Sequence, residues 1–180
     1  LETNRALRLG CTGVMIDAST LDFNGNAALT RRVVETAAYS GVYVEGELGH
    51  VGSVNDDAMD EFTEPEQAAR FVRETGVART ENKKAAELDI QRTADIAAAT
   101  GIPLVLHGGS GIPDDQIRAA VKAGICKVNY ATDLCYAFMD TLAAQIDTRP
   151  ALDLFMKKPI EAVQAFAENR IELVGAAGKA

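Results

Sequence analysis

His107-Gly108-Gly109-Ser110-Gly111 closes the apolar run Pro103-Leu104-Val105-Leu106. A short β-type run that spills into glycines reads as a buried strand delivering a ligand-binding loop. The glycines let backbone N–H groups approach an anion, Ser110 adds a hydroxyl, and the His107 imidazole can ligate a metal. A second loop, Asn129-Tyr130-Ala131-Thr132-Asp133, combines amide, hydroxyl and carboxylate just before a predicted helix. Two such loops on successive strands can hold a phosphate; the alternative is a pair of tight strand-to-helix turns. Asp17, Glu47, His107 and Asn129 each end a predicted strand, at the carboxyl rim where parallel sheets carry their chemistry. All four can bind a metal or a polar substrate. Asp17 reads equally as a cap or turn carboxylate, Glu47 as a solvated turn residue, and His107 as a satisfied core histidine. His50 reads as an exposed loop histidine, Asp56-Asp57 as an acidic turn, and the pairs Lys83-Lys84 and Lys157-Lys158 as solvated faces.

These residues need a frame that brings strand ends together. Leu1 to Leu9 reads as helix, stopped by Gly10, and Val14-Met15-Ile16 as a buried strand ending at Asp17. Leu29, Val33, Val34 and Ala37 mark an amphipathic helix over Asn26–Tyr39. Val42-Tyr43-Val44 begins a second strand that runs out at Glu47-Leu48-Gly49, followed by a loop over His50–Phe62. Thr63 is the expected N-cap of the next helix, with Pro65 in its first turn and Glu66 closing a capping box. That helix ends at Gly76-Val77, where the alternation calls for a strand and the sequence supplies only the polar Ala78–Glu87. Thereafter the rhythm resumes: helix Leu88–Thr100, strand Leu104–Leu106, helix Pro113–Ala123, strand Lys127–Tyr130, then helices Asp133–Ile146 and Ala151–Val174. Strands alternating with helices give crossover units and a parallel sheet, here of four strands with one missing between Val77 and Thr80. The fold class is α/β, in one domain over 1–180.

Composition narrows the partners. The chain of 180 residues carries a net charge of −8, with 47% hydrophobic and 24% charged residues. No basic run exceeds two residues, so nucleic acid is not an expected partner. No apolar stretch approaches the ~20 residues of a membrane span, and the N-terminus does not read as a signal peptide. Cys11, Cys126 and Cys135 are widely spaced, with no Cys-x-x-Cys, and read as reduced packing thiols of a cytoplasmic protein. An anionic ligand would need local help from backbone amides, helix N-termini or a metal.

At the rim residues the chain resembles the class II, metal-dependent fructose-bisphosphate and tagatose-bisphosphate aldolase family. The matching stretches are Val14–Ser19, Val44–Gly49, Leu104–Gly111 and Gly124–Asp133, in order and covering most of the chain. The resemblance implies a (β/α)8 TIM barrel, a zinc-dependent lyase of carbohydrate metabolism and glycolysis, and a phosphorylated sugar substrate. It implies Zn²⁺ bound by His107, with Asp17 and Glu47 at an alternative metal position. It implies Gly108, Gly109 and Ser110, with Asn129, Tyr130, Ala131 and Thr132, holding the dihydroxyacetone-phosphate moiety. The expected reaction is reversible cleavage of a ketose 1,6-bisphosphate to dihydroxyacetone phosphate and glyceraldehyde 3-phosphate.

The chain departs from the family pattern at several places. A His-x-Asp-His segment with a zinc histidine and an acid–base aspartate is expected ahead of Leu1. A third zinc histidine, followed by glycine, is expected on the strand after Gly76-Val77. Asn55 stands where the family's mobile loop carries a proton-transferring glutamate, a role an amide cannot perform. A barrel needs eight strands and typically ~250 residues. The reading is therefore an incomplete barrel, the C-terminal part of such an aldolase with a gap near Ala78, forming a homo-oligomer as the family commonly does and inactive as it stands. Two other readings fit: an aldolase for a deoxy-keto sugar phosphate, and a non-catalytic relative that binds a partner or a sugar phosphate.

Overall fold

A computed structural model of the chain describes residues 2–49, 63–82, 88–148 and 151–179. The elements are α1 (Glu2–Arg8), β1 (Gly13–Ile16), α2 (Phe23–Ala38), β2 (Tyr43–Gly46), α3 (Pro65–Thr75), β3 (Arg79–Asn82), α4 (Ile90–Thr100), β4 (Leu104–Leu106), α5 (Asp114–Ala123), β5 (Ile125–Val128), α6 (Thr132–Ala143) and α7 (Leu152–Leu173). The strands form one parallel sheet in the order β1-β2-β3-β4-β5. Spatial order that follows chain order, with a helix between each pair, is the winding of a (β/α) barrel rather than of a doubly wound sheet. Five strands do not reach the eight of a closed barrel, so the barrel described is incomplete.

The fifth strand corrects the sequence reading. Arg79–Asn82 is a strand where the alternation left a blank, with Glu45 opposite Arg79 on one side and Asn82 opposite Leu106 on the other. Its sequence, Arg-Thr-Glu-Asn, has little β-propensity and no apolar alternation. Its backbone completes the ladders that β2 and β4 would otherwise leave open between them, continuing from the Ala78 N–H donated to the Val44 carbonyl at 3.0 Å. Tertiary pairing wins over local preference. The strand carries no histidine.

Helix boundaries follow local chemistry. Asp22 caps α2 by accepting from the Gly25 N–H at 2.8 Å, and Asp89 caps α4 by accepting from the Arg92 N–H at 2.8 Å. Thr63 does not cap α3 as expected; Glu64 stands at the N-cap without a side-chain bond, and the Thr63 hydroxyl donates to the Leu48 carbonyl at 3.1 Å. That bond ties the entry of α3 to the segment leaving β2. Gly76 closes α3 at φ 73°, a left-handed turn that suits glycine.

The two faces of the sheet differ. Val44, Leu104, Leu106 and Ile125 pack into the core against the helices, with Phe71, Ile96 and Ile117 fully buried above them. Gly46 lies under that layer, where a Cβ would come within 2.9 Å of Val77. Alternation then turns Met15, Asp17, Glu45, Glu47, Val105 and His107 to the opposite face, the one a closed barrel would enclose. A register shift between β4 and β5 sets Val105 opposite Lys127 and leaves Cys126 as the extra residue. This bulge resets the alternation of β5, so Lys127 joins Glu45 and His107. Cys11, Cys126 and Cys135 are exposed free thiols, not the packing groups expected from sequence.

Candidate functional site

On the enclosed face, Glu45 of β2 is the centre of a polar cluster. It is 3% exposed and lies 3.1 Å from His107 Nε2, just past β4. Lys127 Nζ of β5 donates to both its oxygens, at 3.2 and 3.0 Å. Burial alone would push the Glu45 carboxyl up. The bonds from His107 and Lys127, and their charges, outweigh burial and hold it below its ordinary value of 4.5. Three strand spacings of about 4.8 Å separate β2 from β5. Short bonds across that span fit a sheet curled toward this face.

Glu45 and Lys127 were not among the residues singled out from sequence. Each lies two positions before one that was, Glu47 and Asn129. In a strand that spacing puts both on one face, so the signal was present in the period of two. The sequence marked strand ends and passed over the residues one step below them.

The two predicted loops do come together. The Gly109 N–H donates to the Asn129 carbonyl at 2.8 Å. Ser110 Oγ accepts from the N–H of Ala131 at 3.3 Å and of Asp133 at 3.1 Å. The Gly111 N–H donates to Asp133 Oδ2 at 3.0 Å. Gly109 has no room for a side chain: a Cβ there would lie 2.6 Å from Val128 Cγ1. Gly108 and Gly111, at φ 68° and 74°, make the turns that bring the loop back onto β5. Four amides of the two loops are thus spent in bracing them against each other, those of Gly109 and Ala131 belonging to the expected anion cradle.

The other expected site residues divide. Glu47 is 5% exposed, so it is no solvated turn carboxylate. Its N–H donates to the Ile16 carbonyl at 3.2 Å and its carbonyl accepts from Asn26 Nδ2 at 2.9 Å. Asn26 is itself buried and accepts from the Thr30 hydroxyl at 3.0 Å, a chain that pins the end of β2 to α2. Asp17 is exposed, and its Oδ1 accepts from the Ser19 N–H at 3.0 Å and the Ser19 hydroxyl at 2.7 Å, the capping geometry weighed from sequence. Tyr130 turns its ring onto α7, edge to face with Phe166 at 5.9 Å, with the Arg170 guanidinium 5.7 Å from its centroid. Its buried hydroxyl has no hydrogen-bond partner among the described residues. Burial pushes that phenol up, and the Arg170 charge works the other way. Only the backbone of Tyr130 is left for the rim. Thr132 and Ala131 are exposed beside Ser110. His50 and Asn55 lie outside the described residues.

A catalytic zinc needs about three protein ligands. Among the described residues no three His, Cys, Asp or Glu side chains gather closely enough to hold a metal ion. The described residues therefore do not fit the zinc site that the resemblance implies. No described helix is long and apolar enough to cross a membrane.

Comparison with known proteins places these features in context. The family described as fructose-bisphosphate aldolase class-II matches residues 2–179. A 6-phospho-5-dehydro-2-deoxy-D-gluconate aldolase of Shouchella clausii is 37% identical over 190 residues, covering 98% of this chain and 65% of that protein. The crystal structure of the YdjI aldolase from Escherichia coli superposes with a TM-score of 0.87 at 36% identity, over 98% of this chain and 65% of that one. A fructose-1,6-biphosphate aldolase of Coccidioides immitis, itself assigned only provisionally, shares the fold at a TM-score of 0.87 and 24% identity. The chain spans about 65% of the length of the first two relatives.

Proposed function

The chain belongs to the class II fructose-bisphosphate aldolase family, and from that premise we propose that its carboxyl rim binds the dihydroxyacetone-phosphate end of a phosphorylated keto sugar. The observation that carries this reading is the mutual bracing of Gly108–Gly111 and Asn129–Asp133 at the ends of adjacent strands. A loop pair held rigid before the ligand arrives loses little freedom on binding, which favours affinity. Gly108, Gly109 and Ser110, with Asn129 through Thr132, are the residues in contact. The net charge of −8 gives no long-range attraction for a phosphate, so attraction must come locally, from the two loops themselves.

Family membership makes the parent chemistry aldol cleavage and condensation. His107, Glu47 and Asp17 remain the positions a metal would contact, and the described residues supply too few donors for a catalytic zinc. With Asn55 at the proton-transfer position as well, the 180 residues on their own do not turn over. Fructose or tagatose bisphosphate, added with zinc and a triose-phosphate detection system, is expected to release no triose phosphate. Measurable turnover contradicts this part of the reading.

The 37% identical relative bears the name of a deoxy-keto sugar phosphate aldolase, which favours that substrate class over a ketose 1,6-bisphosphate. Calorimetric titration with dihydroxyacetone phosphate tests the binding site. Saturable binding that Ser110→Ala weakens at least tenfold is the expected result. Equal binding by the variant, or none by the parent, refutes it. Copies of the chain associate, and the compartment is the cytoplasm.

A further inference from the structure

The two rim loops brace each other, and one side chain behind them reaches both. Arg170 stands on α7, which packs along α6 and touches α5. Its guanidinium lies 5.7 Å from the Tyr130 ring centroid and 5.5 Å from that of Phe166. Its Nη1 donates to Asp114 Oδ1 at 2.8 Å, at the first residue of α5. Tyr130 belongs to the loop after β5, and α5 follows the Gly108–Gly111 loop after only Ile112 and Pro113. We propose that Arg170 is a positioning residue: from α7 it seats the Tyr130 ring on Gly109 and anchors the start of α5, and so sets both loops of the cradle. The inference deepens the reading of this rim as the sugar-phosphate site and rests on it for the ligand.

Gly109 is where the contact is felt. A Cβ there would come within 3.0 Å of Tyr130 Cε1, so the ring edge lies against the loop backbone. Phe166 meets the same ring edge to face. Packing does not hold the ring on every side, because a hollow of about 270 Å³ opens beside it, bounded also by Val128, Leu134 and Phe166. Arg170 lines that hollow, so the guanidinium supplies the contact that close packing leaves out. The chemistry suits arginine rather than lysine. A planar guanidinium lies against aromatic rings and still presents N–H groups to a carboxylate, whereas an ammonium offers a point charge. Nε and Nη2 both donate to Asn169 Oδ1, which fixes the plane and leaves Nη1 aimed at Asp114. The Asp114 side chain is 47% exposed, so its ion pair with Arg170 adds little stability and its use is geometric.

The test separates placement of the loops from stability of the fold. Arg170→Met keeps the apolar stem and removes the guanidinium, and Arg170→Lys keeps the charge and loses the plane. Proton NMR of the whole chain reads the Tyr130–Gly109 contact as a nuclear Overhauser effect between the ring and the glycine α-protons. Calorimetric titration with dihydroxyacetone phosphate reads the cradle, under conditions where urea unfolding shows each protein folded. The parent is expected to show the ring contact. Arg170→Met is expected to lose at least half of its intensity and to raise Kd for dihydroxyacetone phosphate at least fivefold. A parent-like contact in folded Arg170→Met overturns the proposal, as does a Kd raised less than fivefold. Lowered stability with contact and affinity unchanged marks a merely structural side chain and overturns it too. Where Arg170→Met does not fold, Arg170→Lys is held to the same two criteria. A parent that binds no dihydroxyacetone phosphate sinks the sugar-phosphate reading, and the ring contact alone then decides the Arg170 assignment.

Discussion

A buried carboxylate with two basic partners is costly to break, because removing one member strands a charge. Glu45 holds that position between His107 and Lys127. Lys127→Met leaves the buried Glu45 charge without its cationic partner and therefore destabilises the fold by about 3–5 kcal/mol, measured by urea unfolding, and more than Glu45→Met, which leaves a lysine that is 38% exposed and can rehydrate. The pH dependence has a definite sign. The Glu45 pKa is lowered by folding, so its contribution is fully present above the unfolded value of 4.5. It is lost as pH falls through the lower folded value. Glu45→Gln flattens the parent's stability curve in that acid window and leaves it parallel near neutrality. Gly109→Ala is the steric counterpart: a methyl 2.6 Å from Val128 forces the loop off β5 and costs about 1–3 kcal/mol. His107, Gly109 and Ser110 were legible in the sequence because their types are rare or conspicuous in one short run. Glu45 and Lys127 were not, because a charge inside a strand declares itself only when its partners fold around it.

At the scale of elements, the rim is organised by hydrogen bonds between segments that are distant in sequence. Ser110 accepts from two amides of the segment leading into α6, so Ser110→Ala costs about 0.5–1.5 kcal/mol and raises hydrogen exchange at Ala131 and Asp133. Asn26 plays the same part for β2 and Glu47, from within α2. The strands at Val14–Ile16, Val42–Val44 and Leu104–Leu106 could be read from their apolar runs, and the helices from caps and spacing. β3 could not, because four polar residues take up a strand only when β2 and β4 present ladders to them. Thr80→Pro tests that explanation. Proline removes a ladder donor from a central strand, so β4 and β5 should detach from β1 and β2, with circular dichroism losing sheet content. Retention of the full sheet contradicts it.

Taken whole, the molecule is a curled five-stranded parallel sheet, helices on one face and a polar cluster on the other. Its outer strands, β1 and β5, have no further partner among the described residues. Met15 and Tyr43 are 40% and 41% exposed on the face a closed barrel would cover. Unpaired edges beside exposed apolar side chains promote association, so the isolated chain should sediment as more than a monomer. The family and the incompleteness of the barrel were legible from four matching stretches; the bracing of the rim loops was not, since it depends on a register that no motif encodes. The central property of the rim is that those loops hold a sugar phosphate. Amide NMR of the chain titrated with dihydroxyacetone phosphate measures it most directly. Saturable shifts confined to Gly108–Gly111 and Asn129–Asp133 are predicted, and shifts centred elsewhere, or none that saturate, would contradict it.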